Sequence, residues 1–387
     1  MLTYKTAGES HGKGVAALID GFPYGVPLDV DVIDAELRRR QGGYGRGGRQ
    51  KLEADAVEIM TGVLHGVSIG SPILLWVKNR DYKIENMPEL TRPRPGHGDL
   101  SGSIKFGCGI RPILERASAR ETTARVAAGA LARLLLRELG IEVVGFVRSV
   151  GEVDLTPKPE VFVQTPQSLR ATRDATELYS LAPDLENEGK QAIDDAKTSG
   201  DSLGGVVEAR VFNVPFGLGS HTQWTSKLDA RLARAATSIQ AIKGVEIGDG
   251  FSLATRPGSL AHDEILWDES ARSARTLGFV RPTNRAGGIE AGVSNGQPIV
   301  VRAAMKPIPT LLKPLRSIEL STKETASASV ERSDACAISA ASVVLENVVA
   351  FEIAAALLEK FGGDSLEELK ARLELFEETA KKRLENR

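Results

Sequence analysis

A chain of 387 residues, 42% hydrophobic and 26% charged, is long enough to bury a large core and reads as an ordinary globular protein. Its net charge of −2 excludes nucleic-acid binding by bulk electrostatics. Two cysteines, Cys108 and Cys336, far apart and without metal-ligand spacing, argue against a disulfide scaffold or a zinc site and fit a reducing compartment.

Met1-Leu2-Thr3-Tyr4-Lys5 lacks the apolar run of a secretory signal, so a cytoplasmic location is expected. Gly8-Glu9-Ser10-His11-Gly12 follows, then Val15 to Ile19, which reads as a strand. Asp31 to Arg40 predicts a short helix with Ile33 and Leu37 on one face, and the glycines after it open a loop. Glu115 to Leu139 predicts one long helix, rich in alanine and leucine and stopped by Gly140. Ile141 to Val150 and Val206 to Val214 read as strands, while the polar stretch between Thr156 and Ser202 reads as a helical hairpin or an insertion. Ser226 with Asp229 predicts a capping box opening a helix to about Ile242, closed by Gly244, and Ile299 to Met305 predicts a strand. Ser333 is expected to cap a helix running to Lys360, closed by Gly362-Gly363. The most apolar stretch, Ala335 to Leu358, is interrupted by Glu346, Asn347 and Glu352, so no clean membrane span is expected. Ser365 and Glu368 form a second box before an amphipathic tail with Leu366, Leu369, Leu373, Phe376 and Ala380 on one face. Residues 364–387 are expected to serve oligomer contacts, the stripe covering a neighbouring subunit rather than the chain's own core. No linker and no internal repeat appears, so 1–387 reads as a single domain against the two or three that length suggests.

The chemistry concentrates in two histidines and a run of arginines. His11 lies in the glycine-flanked motif above, and His97 in Arg94-Pro95-Gly96-His97-Gly98-Asp99. Between them, Arg38-Arg39-Arg40-Gln41-Gly42-Gly43-Tyr44-Gly45-Arg46-Gly47-Gly48-Arg49 has no acidic residue from Glu36 to Glu53. Glycine lets backbone crowd a ligand, guanidinium forks grip phosphate or carboxylate, and histidine moves protons near neutral pH. Together they predict a site for a small polyanion with proton management. Gly8 to Gly12 also fits a hydrolase nucleophile elbow with Ser10 as nucleophile, but that needs a strand before it and a helix after it. Gly43-x-Gly45-x-x-Gly48 fits a dinucleotide fingerprint, yet it follows a helix and lacks the later acid. The same tract resembles an RNA-binding RGG segment, although patterned elements flank it. His65, His221 and His262 carry no motif and read as structural.

Several blocks, taken in order, resemble the chorismate synthase family. They are Gly8 to Gly12, Arg38 to Arg49, Arg94 to His97, Arg116-Ala117-Ser118-Ala119-Arg120-Glu121-Thr122, Asp201-Ser202-Leu203-Gly204-Gly205, Lys243 to Gly248, Lys306-Pro307-Ile308-Pro309-Thr310 and Arg332-Ser333-Asp334. The resemblance implies an α/β fold of the α+β type, with core helices sandwiched between antiparallel sheets, assembled as a homotetramer. It implies a carbon–oxygen lyase that turns 5-enolpyruvylshikimate 3-phosphate into chorismate with non-covalent reduced FMN and no net redox change. An external flavin reductant is then expected, with no nucleic-acid partner, no membrane partner and no metal.

Residue by residue, the resemblance assigns Arg40 and Arg46 to the substrate anions, with Arg39, Arg49, Arg120 and Ser10 beside them. His11 is implied as proton donor to the leaving phosphate, His97 as the partner of the flavin ring, and Asp334 as the carboxylate serving the ring proton. The flavin contacts implied are Arg116, Ala117, Ser118, Gln240, Ala241, Ala291, Gly292, Lys306, Pro307, Ile308, Pro309, Thr310 and Arg332. Two departures stand out: Ala291 where many relatives have glycine, and Gly98 where many have alanine.

Overall fold

The computed structural model describes residues 1–47, 54–156, 165–331 and 334–385. Alternating burial builds a first antiparallel sheet from β1 (Thr3–Gly8), β2 (Gly14–Asp20), β3 (Val57–Thr61) and β4 (Ile73–Lys78), in the order β1-β2-β4-β3. Val15, Ala17 and Ile19 of β2 and Ile73, Leu75 and Val77 of β4 face one core, while Leu18 between them is exposed. The second sheet holds β5 (Glu142–Val150), β6 (Val153–Asp154), β7 (Gly205–Phe212), β8 (Ile242–Ile247) and β9 (Ile299–Met305), in the order β8-β9-β7-β5-β6, again antiparallel throughout. β5 reads as a continuous apolar run because both its faces are covered: Val143 and Val147 point to the main core, Val144 and Phe146 to Leu169 and Leu181.

The helices of eight or more residues among the described residues are α1 (Val30–Gln41), α2 (Asp99–Phe106), α3 (Ile110–Ala117), α4 (Thr122–Glu138), α5 (Pro166–Asp174), α6 (Glu186–Thr198), α7 (Leu228–Thr237), α8 (Ile338–Phe361) and α9 (Leu366–Glu385). α4 packs on β2 and β4, α8 packs on β5 and β7, and the two helices pack on each other. The result is the expected sandwich, sheet–helices–sheet, with one contiguous hydrophobic core running from Leu2 to Leu373. The helix–helix crossing is close enough to require glycine: a Cβ at Gly129 of α4 would lie 2.2 Å from the Asn347 carbonyl oxygen of α8.

α8 is long and apolar enough to cross a membrane, with a mean hydropathy of 1.8, contrary to the expectation that its polar interruptions exclude this. It is instead the central core helix, and those interruptions do structural work. Glu346, fully buried, takes Arg39 at 2.9 Å, Arg133 at 3.2 Å and Arg173 at 3.2 Å. Glu36 takes Arg39 at 2.6 Å, Arg133 at 2.7 Å and the Asn347 amide at 3.0 Å. Burial works to raise the Glu36 carboxyl, but Arg133 and Arg39 hold it far below the usual carboxylate range.

Several sequence expectations shift. The long helix from Glu115 is broken: α3 ends at Ser118, which is extended and caps the turn Ala119–Glu121 by accepting the Arg120 N–H at 3.2 Å. The helix expected from Ser226 to about Ile242 is only α7, without a side-chain cap at its start. It stops early because Arg125 of α4 takes over its C-terminus, donating to the Ser238 carbonyl at 3.1 Å and hydroxyl at 2.7 Å. α8 begins at Ile338, and Ser333, expected to cap it, lies outside the described residues. The region after Thr156 supplies α5 and α6. The second box forms in altered shape: Glu368 N–H donates to the Ser365 hydroxyl at 3.2 Å, but the Glu368 carboxylate accepts from Asp364 N–H at 2.9 Å, one residue before the cap. The tail stripe packs on its own chain: Leu366, Leu369 and Leu373 join the main core and Phe376 meets Phe361 edge-on at 5.5 Å.

The Gly129 crossing is directly testable. Gly129→Ala is expected to lower unfolding stability by about 3 kcal/mol or more, because a methyl group meets backbone that cannot rotate away. Urea unfolding measures it, and a loss below about 1 kcal/mol would show that α4 and α8 part easily.

Candidate active site

β1 and β2 form a hairpin whose last pair is Gly8 with Val15, so Glu9 to Lys13 make a short loop at the sheet end. Asn79, just beyond β4, ties this loop down by donating to the carbonyls of Gly12 at 2.8 Å, Glu9 at 3.0 Å and Ser10 at 3.3 Å. A strand–loop–strand hairpin is not the strand–turn–helix of a nucleophile elbow. Ser10 is buried, its N–H on the Glu115 carbonyl at 2.9 Å and its hydroxyl accepting from Ser118 at 3.1 Å. His11 turns to Glu115, with Nδ1 3.0 Å from one carboxylate oxygen and its backbone N–H 2.7 Å from the other.

The break after α3 aims Arg120 inward. Its guanidinium reaches Asp55 at 2.7 and 2.9 Å and Asn79 Oδ1 at 2.8 Å. Arg40, from the last turn of α1, reaches the same Asp55 at 2.9 Å. One carboxylate thus serves two buried guanidinium groups. Burial pushes Arg40 down to about 10, with Asp55 opposing and the charges of Arg120 and Arg46 adding to the fall. Arg40 Nε, Arg46 Nε and Arg120 Nη2 are buried with no hydrogen-bond partner among the described residues.

Arg46 lies on the loop after α1. It pairs with Asp334 at 2.5 Å, and Asp334 also accepts the Gly47 N–H at 2.6 Å. The Gly45 carbonyl accepts the N–H groups of Ala335 at 3.1 Å and Cys336 at 3.4 Å, fastening this loop to the entry of α8. Burial pushes the Cys336 thiol up to about 11, so it is an inert packing group. Arg39 is not brought to this cluster; it belongs to the Glu36–Glu346 network in the core. Arg49 and Arg332 lie outside the described residues.

The second histidine is built on Asp99, fully buried at the start of α2. Asp99 takes Arg94 at 2.8 and 3.0 Å and His97 Nδ1 at 2.5 Å, while Arg94 reaches the Thr310 hydroxyl at 3.0 Å. Burial would raise the Asp99 carboxyl, but hydrogen bonds from His97 and Arg94 hold it far below the usual range. Lys306 donates to the Gly96 carbonyl. The two histidine segments adjoin: a Cβ at Gly98 would lie 3.9 Å from the Ala117 Cβ, ordinary contact, so glycine here leaves only a small gap where relatives carry alanine.

A cleft of about 540 Å³ opens beside Thr6, Arg116, Glu121, Arg125 and Gln240. Arg116 donates to the carbonyls of Thr6 and Gly8, both at 3.0 Å, and the break at Ser118 turns it away from Arg120. Gln240 donates to Glu121 at 3.1 Å, while its Oε1 is buried without a partner among the described residues. Ala241 accepts the Lys306 N–H at 3.0 Å, which joins this cleft to the loop Lys306, Pro307, Ile308, Pro309, Thr310. Ser202 holds that loop through the Ile308 carbonyl at 2.7 Å. Ala117 and Ser118 lie at the end of α3, directly after Arg116. Ala291 and Gly292 stand apart. The Gly292 carbonyl accepts the Leu228 N–H at the start of α7, and Gln240 follows that helix's other end, so about 15 Å of helix separates them.

Residue reasoning missed Asp55, Asn79, Glu115 and Asp99. Glu115 and Asp99 adjoin recognised blocks, and a buried acid beside a histidine is a readable signal. Asp55 and Asn79 sit in unremarkable sequence and become visible only when β3 and β4 are folded back on the arginines.

A helical layer between two antiparallel sheets, carrying arginines and carboxylate-held histidines where the elements end, defines an acid–base enzyme for a small polyanion. The chorismate synthase sequence model matches residues 2–358. The chorismate synthase of Pelobacter propionicus is 55% identical over 384 residues, covering 96% of this chain and 97% of that protein. That of Desulforamulus reducens is 52% identical over 386 residues, covering 96% and 97%. A crystal structure of chorismate synthase superposes with a TM-score of 0.81 at 43% identity, covering 98% of both chains. The chain belongs to the chorismate synthase family.

Two predictions follow from the geometry. Asp99, Glu36 and Glu208, the last held at about 2 by Arg210, Arg148 and Arg302 against burial, all have lowered folded values. Their stabilisation is therefore complete above the unfolded carboxyl range and lost as pH falls. Urea unfolding at stepped pH should show stability falling from about pH 4.5 downward, and a flat profile to about pH 3 would contradict it. Ala291 has φ +52, a left-handed conformation that costs a residue with a Cβ. Ala291→Gly should therefore raise stability by about 1 kcal/mol in the same assay, and a loss of stability would refute the strain.

Proposed function

We propose that this chain performs the reaction of its family: 1,4-elimination of phosphate and a ring proton from 5-enolpyruvylshikimate 3-phosphate, giving chorismate. The observation that carries this reading is the group of buried arginine donors without partners among the described residues, tied through Asn79 to the loop of the carboxylate-held His11. A phosphate and two carboxylates need several charge-assisted donors, and Arg40, Arg46 and Arg120 offer them around a single Asp55 and Asp334. Held there, the phosphate leaves as a stabilised anion. His11 gives it a proton, and Asp334 serves the departing ring proton. In the unliganded arrangement Asp334 is held by Arg46 and Gly47 N–H, so an anion that draws Arg46 away also releases the base.

The residues fit reduced FMN. The cleft offers Arg116, the loop beside it offers Lys306 and Thr310, and the unpartnered Gln240 Oε1 suits a ring N–H. Ala241 joins that cleft to the loop, while Ala117, Ser118, His97, Arg332 and the Ala291–Gly292 turn are assigned to the flavin by resemblance alone. Reduced FMN, when bound, supplies electron density to the breaking carbon–oxygen bond and recovers it. The chain's own part is to hold the anions, exclude water and keep His97 fixed through Asp99. An external reductant, a cytoplasmic location and a homotetramer belong to the same reading.

The test is an anaerobic assay with dithionite-reduced FMN and the substrate. Phosphate and chorismate should appear together, over many turnovers per flavin, and stop when oxygen is admitted. Arg46→Ala should weaken substrate binding by about 1.5–3 kcal/mol, the worth of a charged hydrogen bond, read by calorimetry. Consumption of one NADPH per chorismate, or equal activity with oxidised FMN, would overturn the reading.

A further inference from the structure

His11 is held more tightly than a residue on a hairpin loop needs to be. The Glu115 side chain is 1% exposed, and one of its oxygens accepts the His11 backbone N–H at 2.7 Å. The same carboxylate lies 3.0 and 3.2 Å from His11 Nδ1. An ionised carboxylate only accepts hydrogen bonds, so Nδ1 must carry a proton. Although burial would raise the Glu115 carboxyl, the hydrogen bonds from His11 keep it lowered, so it is the acceptor this geometry requires. Nε2 is left on the other side of the ring, where Asp81 lies 3.8 Å away, beyond hydrogen-bond reach. The remaining charges around the ring are Arg111, 3.8 Å from Glu115 on α3, and Lys83, 2.9 Å from Asp81, with Glu9 and Lys13 on the loop itself.

We propose that Glu115 is a positioning residue for the elimination: it fixes the His11 proton on Nδ1 and makes Nε2 the only ring atom that gains and loses the transferred proton. This rests on the reading of His11 as donor to the leaving phosphate. When Nε2 is protonated the ring is a cation, and the buried carboxylate at Nδ1 stabilises it without touching substrate. A glutamine at the same place keeps an oxygen for the backbone N–H but turns its amide toward Nδ1. That arrangement forces the neutral ring into the opposite tautomer and removes the charge partner of the imidazolium.

Two measurements on Glu115→Gln test this. Nitrogen-15 NMR of the protein without flavin, at alkaline pH, should show His11 protonated on Nδ1 in the wild type and on Nε2 in the variant. In the anaerobic assay, kcat of Glu115→Gln should fall roughly 10²- to 10⁴-fold with KM changed less than about threefold. His11→Ala should cost about as much, and the double variant no more than His11→Ala alone. Wild-type His11 protonated on Nε2, or a Glu115→Gln loss that persists in full in the His11→Ala background, would overturn the proposal. The latter would mark Glu115 as purely structural. Normal turnover of His11→Ala would instead remove His11 from the reaction and Glu115 with it, while the NMR result stands as the test of what holds the ring.

Discussion

Asp55 is the constraint on which the proposed anion site depends. It is fully enclosed between Arg40 and Arg120, and it is the only carboxylate of the described residues bonded to either of them. Two guanidinium groups in a dry setting repel each other, and a single carboxylate offsets only one of them. The surplus is what a dianionic phosphate can exploit. A second acid in place of Asn79 would have neutralised Arg120 fully and removed the reason to bind. Asn79 instead accepts from Arg120 at 2.8 Å and spends its amide hydrogens on the loop that carries His11. The same side chain therefore fixes the arginine pair and the His11 loop relative to each other.

The sandwich makes this possible because the site is assembled at element ends. The β1–β2 loop, the end of α1, the break between α3 and α4, and the entry of α8 all open toward one region. Each carries its groups on backbone tied into the core. Orphan backbone groups at these ends are met by the site's own side chains: Asn79 on the loop carbonyls, Ser118 on the turn, Asp334 on Gly47. Positioning and folding are therefore the same set of bonds, and removing one such side chain is expected to move reactive groups as well as to destabilise.

Much of this was legible in the sequence, and what failed did so for identifiable reasons. Periodicity gave α1, the strand Ile299–Met305 and the capping box of α9, since each is decided by local pattern. The long helix at Glu115 was misread because alanine-rich sequence favours helix throughout, and only Ser118's tertiary role breaks it. α8 defeated simple hydropathy in both directions. Its polar residues did not make it shorter or less apolar overall, and their partners, Arg39, Arg133 and Arg173, come from three distant segments. The proposed flavin contacts were named by family resemblance; the strain at Ala291, φ +52, was foreshadowed by the glycine many relatives carry there, whereas that at Ala241, φ +68, had no sequence signature.

The neighbours Arg39 and Arg40 show where sequence reasoning reaches its limit. They sit in the same acid-free run, and nothing local separates them. On a helix, successive residues point about 100° apart, so one last turn of α1 sends them in different directions. Arg39 meets both Glu36 and Glu346, which it shares with Arg133 and Arg173, and the two carboxylates hold its guanidinium well above the usual arginine range against burial. Arg40 meets one carboxylate shared with Arg120 and is lowered. The two residues differ in burial, in the carboxylates the fold brings to each, and in the neighbouring cations Arg120 and Arg46 that bear on Arg40 alone. Arg39 ties α1 to α8 at their crossing with α4, and through that crossing it sets how Arg40 and the loop carrying Arg46 are presented at the proposed anion site.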